Sequence, residues 1–115
     1  MIVLDNVCKT YSTGVSALNG VNLRIHKGEF VFIVGSSGSG KSTLFKLLLR
    51  ELEPTSGKIL LDGVPIGEVG ARYRSILGYV PQKVGYYPDY TAKDFLNYIS
   101  ILFYYFNNIK INKYV

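Results

Sequence analysis

Residues 35–43 read GSSGSGKST, between the apolar stretch FVFIV at 30–34 and the segment STLFKLLLREL that begins at Ser42. Glycine and serine at this density suit neither a helix interior nor a strand. The run does satisfy G-x-x-x-x-G-K-[ST], with Gly35, Gly40, Lys41 and Ser42 at the fixed positions. The chemistry explains the composition. A phosphate chain is wrapped closely only where side chains do not intrude, so Gly35, Gly38 and Gly40 leave backbone N–H groups free to converge on it. Ser36, Ser37 and Ser39 complete the loop. The helix expected from Lys41 adds unpaired N–H groups and the positive end of its dipole. Lys41 is expected to reach the β- and γ-phosphates, and the Ser42 hydroxyl to coordinate a Mg²⁺ that the phosphates share.

Composition sets wider bounds. The 115 residues support one domain, and 48% hydrophobic residues argue against disorder. Thirteen basic residues against eight acidic ones give a net charge of +5, which favours anionic partners, but the cations are scattered along the chain. Cys8 is the single cysteine; it allows no intramolecular disulfide, argues against zinc and fits a reducing, cytosolic compartment. The opening MIVLDNVCK carries Asp5 and no basic region, so it does not read as a signal peptide. The uncharged stretch 95–109 is interrupted by Asn and Ser and falls short of the ~20 apolar residues of a membrane span.

Periodicity predicts the elements. IVLDNV at 2–7 and VNLRI at 21–25 read as strands, the second with Val21, Leu23 and Ile25 on one face, and STGVSALNG as the turn between them. FVFIV reads as a strand covered on both faces, as in a parallel sheet. Leu44, Phe45, Leu47, Leu48 and Leu52 predict a helix burying one broad face, with Lys46 and Arg50 outward and EPTSG as its stop. KILLDG predicts a strand closed by an Asp-Gly turn, GARYRS a short polar helix, and ILGYV at 76–80 another strand. Thr91 and Asp94 predict a capping box opening a helix at TAKDFLNYISIL. Strands alternating with helices give an α/β fold class.

The arrangement from VCKTY at 7–11 through the loop to KILLDG at 58–63 closely resembles the start of an ATP-binding-cassette (ABC) ATPase. ILGYVPQ, ending at Gln82, resembles that family's Q-loop, and the likeness runs from about residue 2 to about residue 102. GEFVFIVGSSGSGKSTLFKLLLRELEPTSGKI looks most like the cell-division branch of the family, and GYVPQKVGYYPDYTAKDFLNYISIL more like exporter ATPases. The resemblance implies a P-loop NTPase fold with N-terminal antiparallel strands and a parallel core sheet, here incomplete. By position it implies that Tyr11 stacks on adenine, that Thr43 contacts the α-phosphate, and that Gln82 reaches Mg²⁺ and the attacking water. It implies ATP and Mg²⁺ as cofactors, an integral membrane subunit and a second ATPase subunit as partners, and a cytoplasmic place at the inner face of the membrane. Nucleic acid is not expected, because Tyr86, Tyr87 and Tyr90 have only Lys83 and Lys93 near them in sequence.

The resemblance also implies parts that these residues do not contain: an LSGGQ-type signature, an apolar strand ending in Asp-Glu and a later switch histidine. His26 reads as a turn residue, Asp62 as part of an Asp-Gly turn and Asp94 as a cap, so no general base is assigned. The expectation is Mg-ATP binding without efficient hydrolysis, an unpaired apolar edge at FVFIV, and residues 103–115 as an atypical tail after a domain portion at 1–102, from truncation or a frameshift. A non-catalytic nucleotide-binding module and a nonfunctional remnant are the alternative readings.

Overall fold

The computed structural model describes residues 1–81 and 88–101. The chain divides into two compact units, Met1–Gly78 and Tyr79–Val115.

In the first unit, β1 (Ile2–Thr10) and β2 (Ser16–Ile25) form an antiparallel hairpin with Ile2 opposite Ile25 and Leu4 opposite Leu23. The other edge of β1 pairs antiparallel with β3 (Ser56–Leu61), which turns through Asp62 and Gly63 into the short β4 (Val64–Pro65). The sheet order is β2-β1-β3-β4. Asp62 and Gly63 both have positive φ, 49° and 83°, the geometry that makes Asp-Gly a tight hairpin turn.

The first turn is shorter than expected: the Tyr11 N–H donates to the Val15 carbonyl at 2.9 Å, and Ser16–Gly20 already belongs to β2. Gly20, read as part of that turn, is an irregularity within β2, and the expected strand at 2–7 carries a bulge at Asn6. Asn6, at φ 47°, donates its N–H to Asn22 Oδ1, the Gly20 N–H reaches Cys8 Sγ at 3.1 Å, and the register shifts between Leu4 and Val7. A Cβ on Gly57 would collide with the Asn6 carbonyl, so the bulge and that glycine are matched.

Leu4 and Val7 of β1 lie three residues apart, and the bulge at Asn6 between them brings both, with Ile59 of β3, into the core, where they meet Leu18, Ile66, Tyr73 and two residues of α1 (Lys41–Leu48), Leu44 and Leu47. Phe45, expected on the buried face, is 42% exposed. The helix ends earlier than EPTSG: Leu49 caps it and Arg50 turns left-handed at φ 58°. Arg50 is also not the outward residue its spacing predicts. Its guanidinium donates to the Gly70 and Gly67 carbonyls, at 3.1 and 3.4 Å, and lies 6.0 Å from the Tyr73 ring centroid. Tyr73 belongs to α2 (Arg72–Ser75), the short helix expected at GARYRS; it is wholly buried and its hydroxyl donates to the Leu48 carbonyl at 2.6 Å.

The parallel core differs most from expectation. FVFIV forms no ladder, and Phe30, Phe32 and Val34 are 84%, 79% and 87% exposed, while Ile33 packs against the core. ILGYV is likewise not a strand, with Ile76 and Val80 exposed. An apolar run becomes a strand only when neighbours supply its hydrogen bonds. Among the described residues no such neighbour lies beside either segment, so no parallel ladder forms there. Segment 30–34 exposes apolar side chains, but it is not a strand, so the unpaired sheet edge expected there does not form.

In the second unit, residues 92–101 are helical and open on the expected box. The Thr91 N–H donates to Asp94 Oδ2 and the Asp94 N–H to Thr91 Oγ1, both at 3.2 Å. No helix among the described residues is long and apolar enough to cross a membrane.

Asp62 links the chain's first residue to the second hairpin. It accepts a hydrogen bond from the Met1 ammonium at 2.5 Å, and that bond, the ammonium charge and then Lys27 hold its carboxyl below the usual aspartate range. A carboxyl whose folded pKa is depressed adds stability above its unfolded value of about 3.9, and this contribution is lost as pH falls through the folded value. Urea midpoints measured between pH 6 and pH 2 should therefore fall at the acid end, and Asp62→Asn should flatten that part of the profile.

Candidate phosphate-binding site

The loop after Val34 stays irregular until a turn at 37–40, where the Ser39 N–H donates to the Ser36 carbonyl at 3.2 Å. Gly40 is the residue before α1, at φ 93° and ψ 1°, and no side chain caps the helix there. Helical bonding begins with the Leu44 N–H on the Gly40 carbonyl at 2.9 Å. The N–H groups of Lys41, Ser42 and Thr43 are therefore not consumed by the helix itself.

Lys41 curls back into its own loop. Its Nζ donates to the Gly35 carbonyl at 2.5 Å, the Ser36 carbonyl at 2.6 Å and Ser39 Oγ at 3.0 Å. Among the described residues no carboxylate pairs with it. A Cβ on Gly35 would sit 2.5 Å from Ser39 Oγ and 3.5 Å from Lys41 Nζ, so a side chain there would displace Ser39 and crowd the ammonium. The arrangement offers an ammonium, three helix N–H groups and the exposed Ser42 hydroxyl at one place, which suits an oxyanion.

Thr43 is 7% exposed, and its Oγ1 lies 2.9 Å from the hydroxyl of Tyr11. The structure thus brings Tyr11 at the end of the first hairpin to the start of α1, beside Gly35 to Ser42. Lys9 Nζ stands 5.9 Å from the Tyr11 ring centroid. Gln82 lies outside the described residues. Behind the site are two residues that the sequence reading placed in a turn: a Cβ on Gly40 would approach the Ala17 carbonyl oxygen to 2.5 Å and Leu18 Cδ2 to 2.8 Å. No local pattern marks such a contact, because it joins a strand to a helix far along the chain. Among the described residues there is no His, Cys, Asp and Glu cluster fit to hold a metal.

The family model described as ABC transporter matches residues 18–113, and the chain belongs to that family. It is 42% identical over 103 residues to the choline transport ATP-binding protein OpuBA of Bacillus subtilis, covering 89% of this chain and 27% of that protein. It is 42% identical over 85 residues to the cell division ATP-binding protein FtsE of the same organism, covering 74% of this chain and 36% of that one. A solved bacterial Atm1-family ABC exporter with ATP bound superposes with a TM-score of 0.71 at 39% identity, over 76% of this chain and 16% of the exporter. The chain therefore spans about a quarter to a third of these two curated relatives.

Proposed function

We propose that the chain binds Mg-ATP through the loop Gly35–Thr43, as part of an ABC-type ATPase subunit that energises a membrane partner in transport or cell division. The observation that carries this reading is the loop itself: Lys41 Nζ on the Gly35 and Ser36 carbonyls, directly before a helix with an uncapped N-terminus. Phosphate oxygens can take the place of those neutral carbonyls and give the ammonium a charged acceptor, a stronger bond. Gly35, Ser36, Ser37, Gly38, Ser39 and Gly40 line the triphosphate with backbone N–H groups. Thr43 contacts the α-phosphate, and Tyr11 presents its ring to the adenine.

Ser42, whose hydroxyl has no hydrogen-bond partner among the described residues and which lies in the first helical turn, supplies that hydroxyl to Mg²⁺, with Gln82 as a second ligand. The ion neutralises phosphate charge. These residues include a cradle and no recognised general base, so slow phosphate release is expected of the chain by itself. An integral membrane subunit, a second ATPase subunit and a cytoplasmic position follow from the family reading and the relatives' roles in transport and cell division.

Calorimetric titration with Mg-ATP tests the proposal. The chain should bind, and Lys41→Ala should weaken binding about ten- to a hundredfold, the loss of charged hydrogen bonds. A folded parent chain that takes up no Mg-ATP, or a Lys41→Ala chain that binds equally well, would overturn it.

A further inference from the structure

We infer that the Tyr11 hydroxyl, separately from the Tyr11 ring, is a positioning group for the triphosphate grip, acting through Thr43. The inference rests on the nucleotide-binding reading above and concerns what the phenol adds to it.

The pair is unusual in where it joins the chain. Tyr11 closes the first hairpin, fixed by its N–H on the Val15 carbonyl and its carbonyl on the Gly14 N–H, at 2.9 and 2.8 Å. Thr43 sits in the first turn of α1 and is almost fully buried. Their hydroxyls meet at 2.9 Å across 32 positions of sequence, and the close approach of Gly40 to Ala17 presses the same two elements together.

A threonine hydroxyl has one proton to donate and two sites that accept. In a helix its easiest use is to donate back to a carbonyl of the preceding turn, which removes it from any ligand. A phenol is a better donor than an aliphatic alcohol. With the Tyr11 O–H donating into Thr43 Oγ1, the threonine rotamer is held and its proton is left for an oxyanion. Donation into that oxygen also polarises the Thr43 O–H, which strengthens its bond to a charged acceptor.

The test separates ring from hydroxyl by using a ligand with no base: inorganic tripolyphosphate with Mg²⁺. The parent, Tyr11→Phe, Thr43→Val, the double variant of those two, Thr43→Ser and Thr43→Ser combined with Tyr11→Phe are titrated calorimetrically, with urea melts to confirm that each is folded. Tyr11→Phe, which keeps the ring, should weaken tripolyphosphate about three- to tenfold, the worth of one hydrogen bond. Thr43→Val should cost at least as much, and the double variant no more than Thr43→Val alone. Thr43→Ser should keep the affinity and its sensitivity to Tyr11→Phe, which supports the inference even if the valine variant does not fold. Undiminished tripolyphosphate binding by Tyr11→Phe would overturn it. So would a Tyr11→Phe loss that persists in full on the Thr43→Val background. If Mg-ATP binds in a Lys41-dependent way under either result, the proposed function stands and only this inference falls. A folded parent that binds neither ligand removes both.

Discussion

Gly40→Ala is expected to destabilise the first unit and to abolish phosphate binding together. The residue holds φ 93°, where an L side chain costs about 1–3 kcal/mol, and its new Cβ would lie 2.5 Å from the Ala17 carbonyl oxygen. That oxygen belongs to β2 and cannot retreat without breaking the hairpin, so the start of α1 must move instead. The N–H groups of Lys41, Ser42 and Thr43 would move with it. Urea unfolding should show a loss beyond the dihedral strain, and calorimetry with Mg-ATP should show no binding by whatever fraction stays folded. Gly38→Ala is the control: its φ is also positive, at 78°, but its Cβ meets nothing within 4 Å. It should show the dihedral cost alone. Equal unfolding losses in the two variants would mean that Ala17 does not press on the helix start.

Leu47→Ala should cost more stability than any exposed substitution in the unit. Leu47 is 1% exposed and shares its cluster with Leu4, Val7, Ile59 and Ile66. Removing its outer atoms loses their transfer free energy and leaves a void that the sheet cannot fill, in the range of about 2–5 kcal/mol. Phe45→Ala, two residues away and 42% exposed, should cost far less. Denaturant midpoints of the two variants check the assignment of the helix face. A larger loss at Phe45 would mean that α1 is rotated from the position described.

These two substitutions mark the limit of what the sequence makes legible. GSSGSGKST announces both its own shape and the helix after it, because glycine spacing and a lysine at a helix start are local properties. The Asp-Gly turn and the Thr91–Asp94 box are local too, and both form as read. Gly20 misleads for the same reason: its residue type signals a turn, whereas the β1–β2 ladder absorbs it as an irregularity of β2. FVFIV misleads in the opposite sense. Its apolar run fits a buried strand, but whether a strand forms depends on hydrogen-bond partners from elsewhere. Arg50 and Tyr73 lie within reach of each other only because the chain folds back after β4. Resemblance gave Tyr11 an adenine-stacking role but said nothing of its hydroxyl. The bond to Thr43 depends on how a hairpin meets a helix.

Three cations of the first unit rest on backbone carbonyls: Lys9 on Glu53 at 2.7 Å, Lys41 on Gly35 and Ser36, and Arg50 on Gly67 and Gly70. Met1 with Asp62 is the one ion pair among the described residues. Dissolved salt acts chiefly on pairs of exposed opposite charges, and a carbonyl dipole held at hydrogen-bond distance is screened far less. Screening therefore removes little of what these three contacts contribute, while Lys41 keeps a charge that mobile anions can still find. Added salt that leaves these contacts in place would nonetheless compete directly with the phosphate ligand.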